Sequence, residues 1–153
     1  MGTISQDEYM NRLRSAIKEM PNESERIMRK NMDDIIDYVR EDQMFNKGIA
    51  GDGSPLGVYK ITNNEGSGRG FPKIRGTRFN LFDSRYFFDT MVLTKTRGKY
   101  NFRVRSNVYY LKDILEVTNK SEATLLGITE ENNLKVNIDI IKKELDAWIL
   151  SKI

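Results

Sequence analysis

The strongest constraint on this chain is an interruption. Between Asn46 and Phe79 the stretches GIAGDGSPLG and NNEGSGRGFP carry seven glycines and two prolines, around a short apolar run from Val58 to Ile61. Glycine and proline at that density end helices and strands, so residues 45–78 read as a long loop or arm. A loop this long is uncommon in a compact domain unless it has a function or orders against a partner. It divides a helical N-terminal region (1–44) from a β-sheet core (79–107) and a helical C-terminal region (108–153). One domain is expected from 153 residues, a length that supports a single core.

The N-terminal region opens on a capping box, Ser5-Gln6-Asp7-Glu8. Tyr9, Leu13, Ala16, Ile17 and Met20 follow at helical spacing, and Pro21 is expected to end that helix. Asn22 can then cap a second helix, with Glu23 and Glu25 in its first turn and Met28, Met32, Ile35, Ile36 and Val39 as its apolar stripe, running to about Gln43. Beyond the loop, the β-branched and aromatic run from Phe87 to Thr96 suggests a strand. Thr96-Arg97-Gly98-Lys99 supplies a hairpin turn, after which Tyr100, Phe102 and Val104 alternate with Asn101, Arg103 and Arg105. One face of that strand is therefore core and the other presents arginines. Residues 108–117 read as a short helix or turn burying Leu111, Ile114 and Leu115. Gly127 breaks the chain, and Thr129 caps a last helix whose seam is Leu134, Ile138, Ile141, Leu145 and Trp148. The fold class is α+β: two N-terminal helices, a long loop, a small antiparallel sheet, and a C-terminal helix packed on the sheet.

Composition narrows the chemistry. The chain has no cysteine and no histidine, which excludes disulfides, thiol chemistry, Cys/His zinc sites and histidine-dependent triads. No membrane span or signal peptide is read, and an intracellular origin is expected. The net charge of +3 hides a block structure. Residues 1–44 hold 7 basic and 10 acidic groups, 69–105 hold 10 and 2, and 106–153 hold 6 and 8. Seven cations of the middle block are arginines, suited to forked bonds with carboxylate or phosphate. Candidate partner or DNA contacts are Arg69, Lys73, Arg75, Arg78, Arg97, Lys99, Arg103 and Arg105. The plainer reading of the same block is a solvated face that pairs with the acidic flanks of its own chain.

Sharper chemistry fares poorly. Glu65-Gly66-Ser67-Gly68-Arg69-Gly70 could cradle phosphate but is followed by Phe71-Pro72 rather than a Lys-Ser/Thr helix start, so flexible connection is the better reading. Asp52 resembles the start of a calcium loop without the later ligands, and a turn is expected. Asp83 and Asp89, near Lys95, would make a sparse metal-nuclease pair, and ion pairing is more economical. Phe79, Phe82, Tyr86, Phe87, Phe88, Tyr100 and Phe102 could stack bases, but most should fill the core. No catalytic residue, cofactor or metal is expected.

The segments LFDSRYFFDTMVL (81–93) and LLGITEENNLKVNIDIIKKEL (125–145), with GIAGDGSPLGVYK before them, resemble the head–tail connector and tail-completion proteins of tailed bacteriophages, in versions from Bacteroidetes-type hosts. Asp83, Ser84 and Thr90 match one motif of that family, and Gly127, Thr129 and Asn132, within Gly127-Ile128-Thr129-Glu130-Glu131-Asn132, match a second. The resemblance spans roughly residues 27–150. Arg85 stands where the family has glycine, so a positive φ there would be strained. The resemblance implies a non-enzymatic virion component of the neck or tail, present in the host cytoplasm during assembly. It implies a ring of identical copies, portal-connector and tail-tube partners, and DNA passing through the lumen. A nucleic-acid-binding module using the 69–105 segment is the alternative.

Overall fold

A computed structural model describes residues 4–59, 75–79, 81, 85–96 and 102–153. Helix α1 (Gln6–Lys30) starts where the capping serine predicts, with the Ser5 hydroxyl accepting the Glu8 N–H at 3.2 Å. Pro21 does not end it, and Asn22 caps nothing: the helix runs through both for 25 residues. Proline removes one N–H and crowds the preceding turn, a cost of about 3 kcal/mol in a helix interior. Here tertiary contacts bridge the site. Lys152 binds Glu19 at 2.7 Å on one side of Pro21, and Lys30 binds Glu144 at 2.9 Å on the other. The break falls ten residues later, at Asn31, whose side-chain amide bonds back to the Ile27 carbonyl at 2.9 Å.

Helix α2 (Met32–Asp37) continues into π-helical turns over Tyr38–Lys47, closed by Gly48 at φ 62. Ile49 N–H returns to the Gln43 carbonyl at 3.0 Å, a six-residue closure that needs a left-handed residue at position 48. The start of the expected arm is thus the end of a helix. The next residues are also tied down, with isolated bridges between Ile49 and Pro55 and between Val58 and Arg78.

The segment from Phe87 to Thr96, expected as strand, starts as helix. Helix α3 (Tyr86–Asp89) comes first, and strand β1 (Met91–Lys95) follows. Thr90 makes the switch, its hydroxyl donating to the Phe87 carbonyl at 2.9 Å and lying 2.9 Å from the Ser106 hydroxyl. The helical turn buries Phe87 and Phe88 together, whereas a strand would send them to opposite faces. Strand β2 (Phe102–Ser106) pairs antiparallel with β1, Leu93 opposite Val104. Val104 is buried while Arg103 and Arg105 are exposed, as the alternation requires.

Helix α4 (Leu111–Thr118) lays Leu111, Ile114 and Leu115 against the core, and a short α5 (Glu122–Leu125) follows. Helix α6 (Glu130–Lys135) is capped by Thr129, whose hydroxyl accepts the Asn132 N–H at 3.3 Å. It passes through π turns (Val136–Lys142) into α7 (Lys143–Lys152), forming one C-terminal rod. Two of the five expected seam residues face outward: Leu134 and Ile138 are 60% and 52% exposed. The wider i→i+5 turns rotate the buried face, which passes instead through Asn132 and Val136 to Ile141 and Leu145. The rod runs antiparallel to α1, and Val136, Asn137 and Ile141 face the sheet across a cleft.

The core gathers Ile36, Val39 and Met44 from α2 and its extension, Phe87 and Phe88 from α3, and Leu125 and Leu126 beside the rod. Burying each such side chain is worth about 1.5–3 kcal/mol. The architecture is α+β, with helices covering a two-stranded sheet. Among the described residues no helix is long and apolar enough to cross a membrane.

Candidate interaction site

Two features stand out: a turn pinned by buried polar groups and the cleft beside it. Gln43 and Asn132 are fully buried. The Gln43 amide donates to the Gly127 carbonyl at 2.8 Å, and its oxygen accepts the Thr129 N–H at 2.8 Å. Asn132 donates to the Tyr38 carbonyl at 2.9 Å. These bonds clamp the turn carrying the second motif onto the π-helical end of α2. Asn132 Oδ1 is buried with no hydrogen-bond partner among the described residues. Reversing the amide would place oxygen against the Tyr38 carbonyl, so the unmatched acceptor is the smaller cost. The clamp is closed from the other side by Gly51, whose N–H donates to the Thr124 carbonyl at 2.8 Å. Gly127, Thr129 and Asn132 therefore have structural work: close approach, helix capping and cross-linking.

Beside this turn lies a cleft of about 380 Å³ between the sheet and the rod. Met28, Leu93, Phe102, Val104, Val136 and Ile141 make its walls apolar. Ser24, Asn133 and Asn137 bring polar atoms to it, and Arg103 stands at its mouth. Sequence reading missed Gln43 as a clamp and missed Asn133 and Asn137. The one available signal was the i, i+4 asparagine pair beside Val136, which places amides on one side of a helix.

Three cations of the basic block pair with acidic groups of their own chain. Lys95 pairs with Glu25, Arg85 with Glu41 at 3.5 Å, and Arg105 with Glu122 at 3.1 Å. Each links the middle block to an acidic flank, as the plainer reading expected. The Lys95 ammonium, with Arg29 behind it, holds the Glu25 carboxyl below the usual glutamate value. Arg78 donates to the Lys47 carbonyl at 3.0 Å, and Arg75 lies in an exposed turn. Arg103 is exposed and makes no ion pair among the described residues. Arg69, Lys73, Arg97 and Lys99 lie outside the described residues, as do Asp83, Ser84, the Glu65–Gly70 stretch and the hairpin turn.

Other expectations resolve locally. Arg85 does adopt the left-handed conformation, at φ 64, a strained backbone for a residue with a Cβ. Asp52 accepts the Ser54 N–H at 2.9 Å in a tight turn. Asp89 is exposed and sits 3.8 Å from Arg85. Among the described residues no cluster of three acidic groups could hold a metal ion. Phe79, Phe87 and Phe88 are buried, Phe102 is half-buried, and Tyr86 is exposed beside Tyr109; Phe82 and Tyr100 lie outside the described residues. Compared with protein-family models, curated proteins and solved structures, the chain has no match.

Proposed function

We propose that this chain is a structural subunit of a tailed-bacteriophage neck, a tail-completion protein that joins the portal-connector to the tail as a ring of identical copies. The observation that carries the proposal is the two-helix arm. Along the N-terminal half of α1 only Ala16 is buried among the described residues, and α7 packs beside the helix. Tyr9, Met10 and Ile17 stay exposed on α1 and Leu150 on α7, with Ile17 at 57%. Two helices cannot enclose both apolar sides of such a pair, and a neighbouring subunit supplies the missing cover. The motif resemblance gives that neighbour its identity as another copy in a ring, with portal and tail-tube proteins above and below.

The test is the mass of the purified protein alone and mixed with portal and tail-tube proteins. Multi-copy complexes support the proposal, and a persistent monomer that joins no virion particle refutes it. A second reading, phosphate contact by the basic segment, draws on Arg103 and Arg105 sharing one face of β2. It expects DNA binding that weakens steeply with salt, and no binding at low salt would end it.

A further inference from the structure

We infer that the outer edge of β2 is a docking edge for an extended segment of a partner protein, one that alternates apolar and acidic residues. The ladder phase comes first. Asn107 N–H donates to the Thr90 carbonyl at 3.4 Å, which makes that pair a hydrogen-bonded one. Register then runs without a bulge through Val92 opposite Arg105 and Thr94 opposite Arg103. In an antiparallel ladder, hydrogen-bonded and non-hydrogen-bonded pairs alternate. Arg103 and Arg105 therefore spend their backbone groups on β1, and Phe102 and Val104 turn theirs outward. Val104 is 7% exposed and lines the cleft with Phe102.

The cleft itself follows this edge. Phe102, Arg103 and Val104 all line it. Successive strand residues point to opposite faces, so three in a row share one cavity only along the strand's edge. Val136 and Asn137 of the rod form the opposite wall. An added strand would sit about 4.8 Å from β2 and meet the free groups of Phe102 and Val104.

The two faces of β2 dictate the partner's side chains. On one face an added strand meets Phe102 and Val104, with Leu93 one strand further in, which calls for apolar residues. On the other it meets Arg103 and Arg105. Arg105 already holds Glu122, whereas Arg103 makes no ion pair among the described residues, so this face calls for carboxylates. The docking edge stands independently of the neck assignment.

Fluorescein-labelled Glu-Val-Glu-Val-Glu-Val, capped at its C-terminus, titrated onto the full chain tests the inference by anisotropy. Saturable binding is expected, weaker by about tenfold or more for the Lys-Val counterpart. N-methylation of one alternate set of residues should abolish binding while the other set is tolerated, because only one set bonds to β2. Arg103→Glu, checked for an unchanged circular dichroism spectrum, should reverse the charge preference. Amide exchange at Val104 gives a second readout: fast in the free chain and slowed by the peptide. No saturation at ~1 mM, equal binding of both peptides, or indifference to N-methylation overturns the inference. Slow Val104 exchange in the free chain that speeds on dilution also overturns it, by showing a second copy on the edge.

Discussion

Gly51 and Gly127 meet backbone to backbone: a Cβ built on Gly51 would lie 2.4 Å from the Gly127 carbonyl carbon. No side chain fits that contact, and neither backbone can yield without disturbing the Gln43 clamp. Gly51→Ala should destabilise the fold by about 3 kcal/mol. Gly53→Ala, where the added Cβ meets open space but φ is +78, should cost about 1 kcal/mol. Urea unfolding of both variants measures the difference, and equal losses would contradict the contact.

Gln43 satisfies a carbonyl and an N–H of the same turn. Gln43→Leu keeps similar bulk but leaves the Gly127 carbonyl and the Thr129 N–H without partners. At about 1–3 kcal/mol per unsatisfied buried group, the expected loss is ~3 kcal/mol. Backbone amide exchange should also quicken selectively over residues 127–132. A loss below 1 kcal/mol with unchanged exchange would show that the clamp is not needed.

Arg85 holds a left-handed backbone at φ 64. Glycine adopts this conformation without the Cβ clash, so Arg85→Gly should stabilise the protein by about 1 kcal/mol. The exposed contacts to Glu41 and Asp89 offset little of that. A lower unfolding midpoint for the variant would show that the guanidinium matters more than the strain.

Glu25, Glu19 and Glu144 titrate below the ordinary glutamate value of 4.5, chiefly through hydrogen bonds from Lys95, Lys152 and Lys30 respectively. A carboxylate with a depressed folded pKa stabilises the fold above its unfolded pKa, and that contribution is lost as pH falls through the folded value. The chain has no histidine to titrate between neutrality and that range. The melting temperature should therefore be level from about pH 6 to 8 and fall below about 4.5, with Glu25→Gln reducing the acid drop. Thermal melts across that range check it, and a marked change between pH 6 and 8 would contradict it.

Fold class was legible because periodicity and caps act locally. Ser5 and Thr129 start their helices, and the alternation of Phe102 to Arg105 sets the faces of β2. The boundaries that misled depend on distant contacts. Pro21 stays helical in a helix packed along α7, and the lysine–glutamate pairs between those helices span more than a hundred positions in sequence. Leu134 faces outward because the buried face of α6 runs through Asn132 and Val136, and the π turns, which no spacing rule anticipates, carry that face on to Ile141. The cleft was invisible for the same reason: its walls come from α1, β2 and the rod, and only packing brings them together. The arginines were legible as a block, while their partners Glu25, Glu41 and Glu122 were not, since charge pairing needs the folded positions.

In the proposed neck ring another copy covers the exposed apolar residues of α1 and α7. The most direct measurement is native mass determination of the wild-type chain and of Ile17→Glu, each incubated with portal and tail-tube proteins. Wild type should give multi-copy complexes on the portal, whereas Ile17→Glu should keep its melting temperature and stay monomeric. A wild-type chain that remains monomeric with every partner, or an Ile17→Glu chain that assembles as wild type does, would contradict it.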